Sequence, residues 1–195
     1  MGKGRLEAFS DGVLAIIITI MVLELKVPHD AELSALAPML PTLCSYVVSF
    51  VFVGIYWNNH HHMLHAAQYV DGKVMWANMH LLFWLSMLPF VTGWIGEHPH
   101  AAGPTAMYGV VCFASGVAWL ILQTALVGTH GRDSAFAGAL GSDAKGKISA
   151  AAYAAAIVLA FVEPWASEAI YVAVAAMWLV PDRRFARVAK ASREH

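Results

Sequence analysis

Charge is scarce in this chain of 195 residues: Lys, Arg, Asp and Glu together make up 13% of it, against 59% apolar residues. With a mean hydropathy of +0.60, that balance excludes an ordinary soluble domain, in which about a quarter of the residues are charged. Cysteine is almost missing. Cys44 and Cys112 both fall in apolar runs, which rules out a secreted disulfide framework and marks them as inert core thiols. There is no glycine-rich phosphate loop, no nucleophile elbow and no zinc-protease helix motif, so an enzyme is not expected, nor a cofactor. The net charge of −1 points to no class of partner, and nucleic acid is not expected as one. A signal peptide is not expected either. Lys3 and Arg5 imitate its basic start, but Glu7 and Asp11 interrupt the apolar run and no small-x-small cleavage site precedes Pro28.

Long apolar runs are what the chain does have. They predict an all-α integral membrane protein with six spans, at about 8–27, 38–57, 74–95, 105–127, 147–163 and 165–181. Together they form a single membrane domain over 1–195, ending in a short basic tail, 182–195. The last two runs are short and Ala-rich and flank Glu163-Pro164-Trp165, which reads as a tight helical hairpin. The stretch from Gly128 to Lys147, rich in Gly, Ser and Asp, reads as a flexible loop. Pro89, inside the third run, is expected to kink it.

Basic residues test this topology independently. One side receives Lys3, Arg5, Lys73, Arg132, Lys145, Lys147, Arg183, Arg184, Arg187, Lys190 and Arg193, and the other receives Lys26 alone. An even number of spans with both termini in the cytoplasm satisfies the positive-inside rule. The outer loops carry Glu24, Asp30, Glu32, Glu97, Glu163 and Glu168. Acidic mouths of this kind concentrate cations; acids are also simply common on that side. The basic tail is expected on the inner leaflet surface.

The first span holds the most informative residues. A carboxylate, Asp11, stands where the apolar run begins, with Arg5 two turns earlier, and ionisable groups in a membrane helix need partners and mark working sites. At 100° per residue, Phe9, Ile16, Ile20, Leu23 and Val27 form a large aliphatic stripe beside a stripe of small residues, Ala8, Gly12, Ala15 and Thr19. The small residues permit close helix packing in lipid. The aliphatic stripe faces lipid or core on one reading, and forms hydrophobic constrictions that gate by dewetting on the other. Periodicity alone does not choose between them. Asp11 falls nearly opposite that stripe, so it should point into neighbouring helices, where Asn58, Asn59, His60, His61, Asn78 and His80 offer partners. The expected arrangement is a buried polar network joining the first three helices.

His60, His61, His62 and His65 include an i, i+4 pair at 61 and 65, a spacing compatible with a metal. With no matched carboxylate or cysteine set beside them, no metal site is expected. His60 or His61 is assigned to the polar network, and titration near neutrality could tune gating. Trp76, Trp94 and Trp165 sit near span ends as interfacial indoles do, whereas Trp57 is expected to pack in the network.

The string Arg5-x-x-x-Phe9-Ser10-Asp11, together with Ile55-Tyr56-Trp57-Asn58-Asn59-His60-His61 and with Asn78 through Leu88-Pro89-Phe90, resembles the signature of the potassium channels of the transmembrane protein 175 family. The resemblance covers most of the chain. It implies a prokaryotic plasma-membrane channel, with one six-helix repeat per chain, working as a homotetramer with four first helices around a central potassium path. It implies selection of potassium without the usual carbonyl-lined filter, and no Thr-Val-Gly-Tyr-Gly string occurs. On the alignment at Asp11, the family's constriction falls on Ile16, further pore-lining positions on Ile20 and Leu23, and the selectivity hydroxyl on Thr19. Ala15 stands where some members carry serine, a departure that bears on the degree of selectivity, and the expected function is a potassium-selective channel leaky to other monovalent cations. Glu24 is assigned to the outer vestibule. Arg5, Phe9, Ser10 and Asp11 become a brace that orients the first helix, held by Trp57, Asn59, His60, His61, Asn78 and His80.

Two other classes are compatible with parts of the sequence. A proton-coupled or metal-ion transporter would use Asp11 and the histidines as a relay, and should show an internal repeat or paired broken helices; neither is clear. A membrane hydrolase with a histidine-bound metal lacks its acid and nucleophile motifs.

Overall fold

Each apolar run becomes helix, because lipid leaves the backbone no other partner for its N–H and C=O groups. The computed structural model describes residues 2–131, 133–140 and 143–179. Eight α-helices follow in order: α1 (Lys3–Leu23), α2 (Leu40–Ala66), α3 (Gly72–Ser86), α4 (Leu88–Glu97), α5 (Ala102–His130), α6 (Ala135–Leu140), α7 (Ala144–Leu159) and α8 (Pro164–Leu179). A 3-10 turn, Leu33–Met39, leads directly into α2. Among the described residues there is no strand. The expected basic tail 182–195, the end of the sixth span and Arg132 lie outside the described residues.

Among the described residues, four stretches are long and apolar enough to cross a membrane: Lys3–Leu23, Leu33–Ala66, Gly72–Glu97 and Ala102–His130. The expected fifth span is the 16-residue α7, about 24 Å long, and the described part of the expected sixth is α8, Pro164–Leu179. They form the hairpin expected around Glu163-Pro164; α7 is too short to count among the four, and the end of the sixth span lies outside the described residues.

The third stretch is broken as Pro89 requires. Pro89 is the second residue of α4 and lacks the N–H that would continue α3, so the chain turns at Met87. Leu88 and Val91 are fully buried there, which places the break in the core. The second helix departs from expectation in the other direction. It continues past Trp57 to Ala66 because His60, Met63 and Leu64 are buried, so the Trp-Asn-Asn-His-His string lies on the helix itself. The expected loop 128–147 is also partly helical, with α5 reaching His130 and α6 inside it.

α5 forms the centre, packed along α3 and α7, while α2 packs against α4 and α1 against α2, α3 and α4. Two glycines permit close approach. A Cβ on Gly96 would lie 2.8 Å from the Thr42 Cα, and one on Gly109 would lie 2.3 Å from the Tyr171 hydroxyl. The Tyr171 hydroxyl in turn donates to the Thr105 carbonyl at 2.9 Å. Cys112 is buried, as a core thiol should be, but Cys44 is exposed. The α2 face that carries Cys44 points away from the bundle.

Candidate functional site

α1 has two unlike faces. Leu6, Ser10, Leu14, Ile17 and Met21 are buried against the rest of the chain, at the 3.6-residue spacing of one packed stripe. Phe9, Ile16, Ile20 and Leu23 are exposed, Leu23 to 77% and Ile16 to 57%, and Ala8, Gly12, Ala15 and Thr19 are exposed beside them. The large and small stripes therefore form one continuous face that the chain itself does not cover.

Thr19 is oriented by its own helix. Its hydroxyl donates to the Ile16 carbonyl at 2.9 Å, which spends its only proton on the backbone. The oxygen lone pairs are left for whatever meets that face. Such an oxygen attracts cations and offers nothing to anions.

The buried face is pinned by a polar chain joining three helices. Asn78 Nδ2 on α3 donates to Ser10 Oγ on α1 at 2.9 Å, and Asn78 Oδ1 lies 2.7 Å from His60 Nε2 on α2. Ser10 Oγ donates back to the Leu6 carbonyl at 2.8 Å. Ser10 and Asn78 are fully buried and His60 is 2% exposed. Since Nε2 faces a carbonyl-type oxygen, the ring must present its proton there.

Asp11 stands beside this chain, outside it. It is half-buried, and Oδ1 accepts from the Trp57 indole Nε1 of α2 at 3.0 Å. Trp57 stacks on His61, with ring centroids 6.2 Å apart, and His61 stacks on His65 at 6.1 Å. The rest of the expected set is dispersed. Asn59 donates to the Ile55 carbonyl of its own helix at 2.9 Å. His80 is exposed and accepts from Trp84 Nε1 at 3.0 Å, which keeps it out of the network expected for it. Arg5 and Phe9 are exposed. Among the described residues, no three of the His, Cys, Asp and Glu side chains converge as metal ligands.

One residue of the site was missed. Lys3 Nζ donates to the Ala67 carbonyl at 2.8 Å and the His65 carbonyl at 3.1 Å. These carbonyls end α2 and have no helical partner, so a cation satisfies them and the helix dipole together. A lysine three residues from the chain start carries no local pattern that would reveal this, because its partners lie more than sixty residues away.

At the opposite end, Lys26 is paired with Glu97, and the hydrogen bond to that carboxylate raises the lysine above its ordinary range. Glu24 follows α1 and leans over α4, where a Cβ on Gly93 would come within 2.8 Å of its Oε2. Glu168 Oε1 accepts from the His100 amide at 3.2 Å and from Thr105 Oγ1 at 3.3 Å.

The chain is similar to several known proteins in sequence and in fold. Residues 5–89 match the family described as endosomal/lysosomal potassium channel TMEM175. A protein of Chryseobacterium sp. (strain P1-3) named as a potassium channel is 47% identical over 97% of this chain and 99% of its own length. Another so named, from Streptomyces collinus, is 36% identical over 62% of each chain. The crystal structure of a lysosomal potassium-selective channel TMEM175 homolog from Chamaesiphon minutus superposes with a TM-score of 0.78 at 27% identity, covering 91% of this chain and 96% of that one.

Proposed function

The chain belongs to the TMEM175 family of membrane ion channels, and from that membership we propose that it is a potassium-selective channel, leaky to other monovalent cations, in which four copies surround a path lined by α1. The observation that carries the reading is the uncovered face of α1, where Ile16, Thr19, Ile20 and Leu23 are exposed while the opposite face is pinned by Ser10. Lipid would satisfy the large aliphatics by themselves, but the exposed small residues Gly12, Ala15 and Thr19 beside them let a second helix of the same kind approach closely across an axis.

In this reading Ile16 forms the narrow ring, and water leaves so apolar a constriction when it is closed. Thr19, one turn further, presents hydroxyl oxygens whose protons are held by the backbone. A partly hydrated potassium ion gives up water more readily than sodium, so weak oxygen ligands beside a narrow ring favour it. Glu24 and the other acids of that end raise the local cation concentration, most strongly at low salt. The termini belong on the cytoplasmic side, as the distribution of Lys and Arg supports.

The test is ion flux in liposomes with potassium, sodium and caesium gradients. Thr19→Ala is expected to lower the potassium-to-sodium ratio about threefold, equivalent to about 0.6 kcal/mol, and Ile16→Asn to raise conductance several-fold by wetting the ring. An unchanged ratio removes Thr19 from selectivity, and parental conductance removes Ile16 from the gate. Saturable flux that requires a proton gradient would favour a coupled transporter instead.

A further inference from the structure

We propose that His130 is a proton-binding switch at the end of the bundle that carries the chain's N terminus, and that it acts on α1 through the α2–α3 loop and Lys3. Only the flux arm of its test rests on the channel reading above.

The geometry assigns the tautomer of His130 from both sides. The backbone N–H of Gln68 reaches His130 Nε2 at 3.0 Å, and an amide can only donate, so Nε2 carries a lone pair. Nδ1 lies 2.9 Å from the Leu126 carbonyl, which can only accept, so Nδ1 carries the proton. Both neighbours demand the same neutral ring. The imidazole is also stacked on Tyr69, with centroids 4.6 Å apart, and on Phe136 at 5.2 Å.

The loop that His130 fastens is connected to the pore helix. Tyr69 donates its hydroxyl to the Thr129 carbonyl at 3.0 Å, and the single hydroxyl proton of Thr129 is shared between the Ala125 carbonyl at 2.9 Å and Asp71 Oδ2 at 3.2 Å. Residue 67, directly before Gln68, offers the carbonyl that Lys3 of α1 holds at 2.8 Å. An unbroken path therefore runs from His130 through Gln68 and Ala67 to the first turn of α1.

Protonation at Nε2 would set an N–H against the Gln68 N–H. The latched loop excludes that proton, so it loses population as pH falls and regains it as pH rises. Attraction of an imidazolium to the two ring faces acts on the ring and returns no acceptor to Gln68. The neighbouring elements also carry Lys3, Arg5, Glu7 and Asp11 on α1, His60, His61, His62 and His65 on α2, Tyr69 in the loop, Asp71, Lys73 and His80 at and along α3, and Asp133 in the turn to α6. The Val74 amide holds the Asp71 carboxyl below the usual carboxylate range, so the charge of Asp71 is constant where an imidazole titrates.

Amide-resolved hydrogen exchange of the purified protein tests the latch, with protection taken relative to an unstructured amide at the same pH. Protection of Gln68 is expected to fall about tenfold between about pH 7.5 and 5.5. In His130→Phe, which keeps a flat ring against Tyr69 and Phe136 without an acceptor, protection should be low at both. In His130→Gln, which restores a non-titrating acceptor, protection should no longer depend on pH. Potassium flux in liposomes, with pH changed on one side at a time, should respond about twofold or more to acid on the N-terminal side in the parent and stay flat in Lys3→Met. Parental Gln68 protection that ignores pH, or a His130→Phe protein that keeps the dependence, overturns the switch. Ample flux that ignores pH overturns its coupling to α1, whereas a pH-dependent latch without any flux overturns the channel reading and leaves the switch standing.

Discussion

Ser10, rather than Asp11, is the α1 residue inserted into the core. The two are neighbours, but a helix turns 100° between them; Ser10 meets Asn78, and Asp11 is carried out to Trp57. Replacing Asn78 by leucine would leave His60 Nε2 buried without an acceptor, at a cost of about 1–3 kcal/mol. Asp11→Asn keeps an oxygen for the Trp57 indole and should cost less than about 0.5 kcal/mol. Thermal unfolding in detergent therefore should rank Asn78→Leu well below Asp11→Asn, with the double variant His60→Leu, Asn78→Leu partly recovered because no polar group is then stranded. Equal losses for the two single variants would show that Asp11 anchors α1 as firmly as Asn78 does and would overturn this ranking. That three helices meet through polar side chains was legible in the sequence. Which residue of each pair faces inward was not: Asn78 and His80 are two positions, and therefore about 200°, apart on α3, and only the partner helices select the one that is buried.

At the scale of elements, the break between α3 and α4 was legible because proline acts locally, and the second helix was underestimated because its polar histidines mask a continuing buried stripe through His60, Met63 and Leu64. The contact between α5 and the α7–α8 hairpin could not be read at all, since it depends on what lies opposite a glycine. Gly109 is held close to both: a Cβ there would meet the Tyr171 hydroxyl at 2.3 Å and Ile157 Cγ1 at 2.9 Å. Gly116, two turns along α5, has nothing within 4 Å. Gly109→Ala should therefore force the hairpin outward, break the bond from Tyr171 to the Thr105 carbonyl and cost about 1–3 kcal/mol. Gly116→Ala should be neutral or slightly stabilising through its helix propensity. Detergent melts of the two variants separate the explanations, because a propensity effect alone would move both in the same direction.

For the whole molecule, the question is what covers the free face of α1. A helix whose Ile16, Ile20 and Leu23 point outward could pass for one facing lipid, but the neighbouring Gly12, Ala15 and Thr19 form the smooth seam along which helix backbones approach, and Lys3 ties the helix start to α2 rather than leaving it loose. If four copies place α1 around an axis, equivalent residues on that face lie near one another across subunits, while Ile17 and Met21, buried at 3% and 0% within their own chain, do not. Single cysteines at 16, 20 or 23, in a background with Cys44 and Cys112 replaced by serine and alanine, should then be joined between subunits by a short bifunctional thiol reagent. The same substitutions at 17 or 21 should stay monomeric on a denaturing gel. Potassium in the bath should not alter the buried positions, but it should slow reaction at Thr19→Cys if ions dwell beside that ring. Cross-linking at 17 and 21 with none at 16 and 23 would turn the helix around and make the aliphatic stripe a lipid face, which would remove the constriction and the threonine ring from the ion path together.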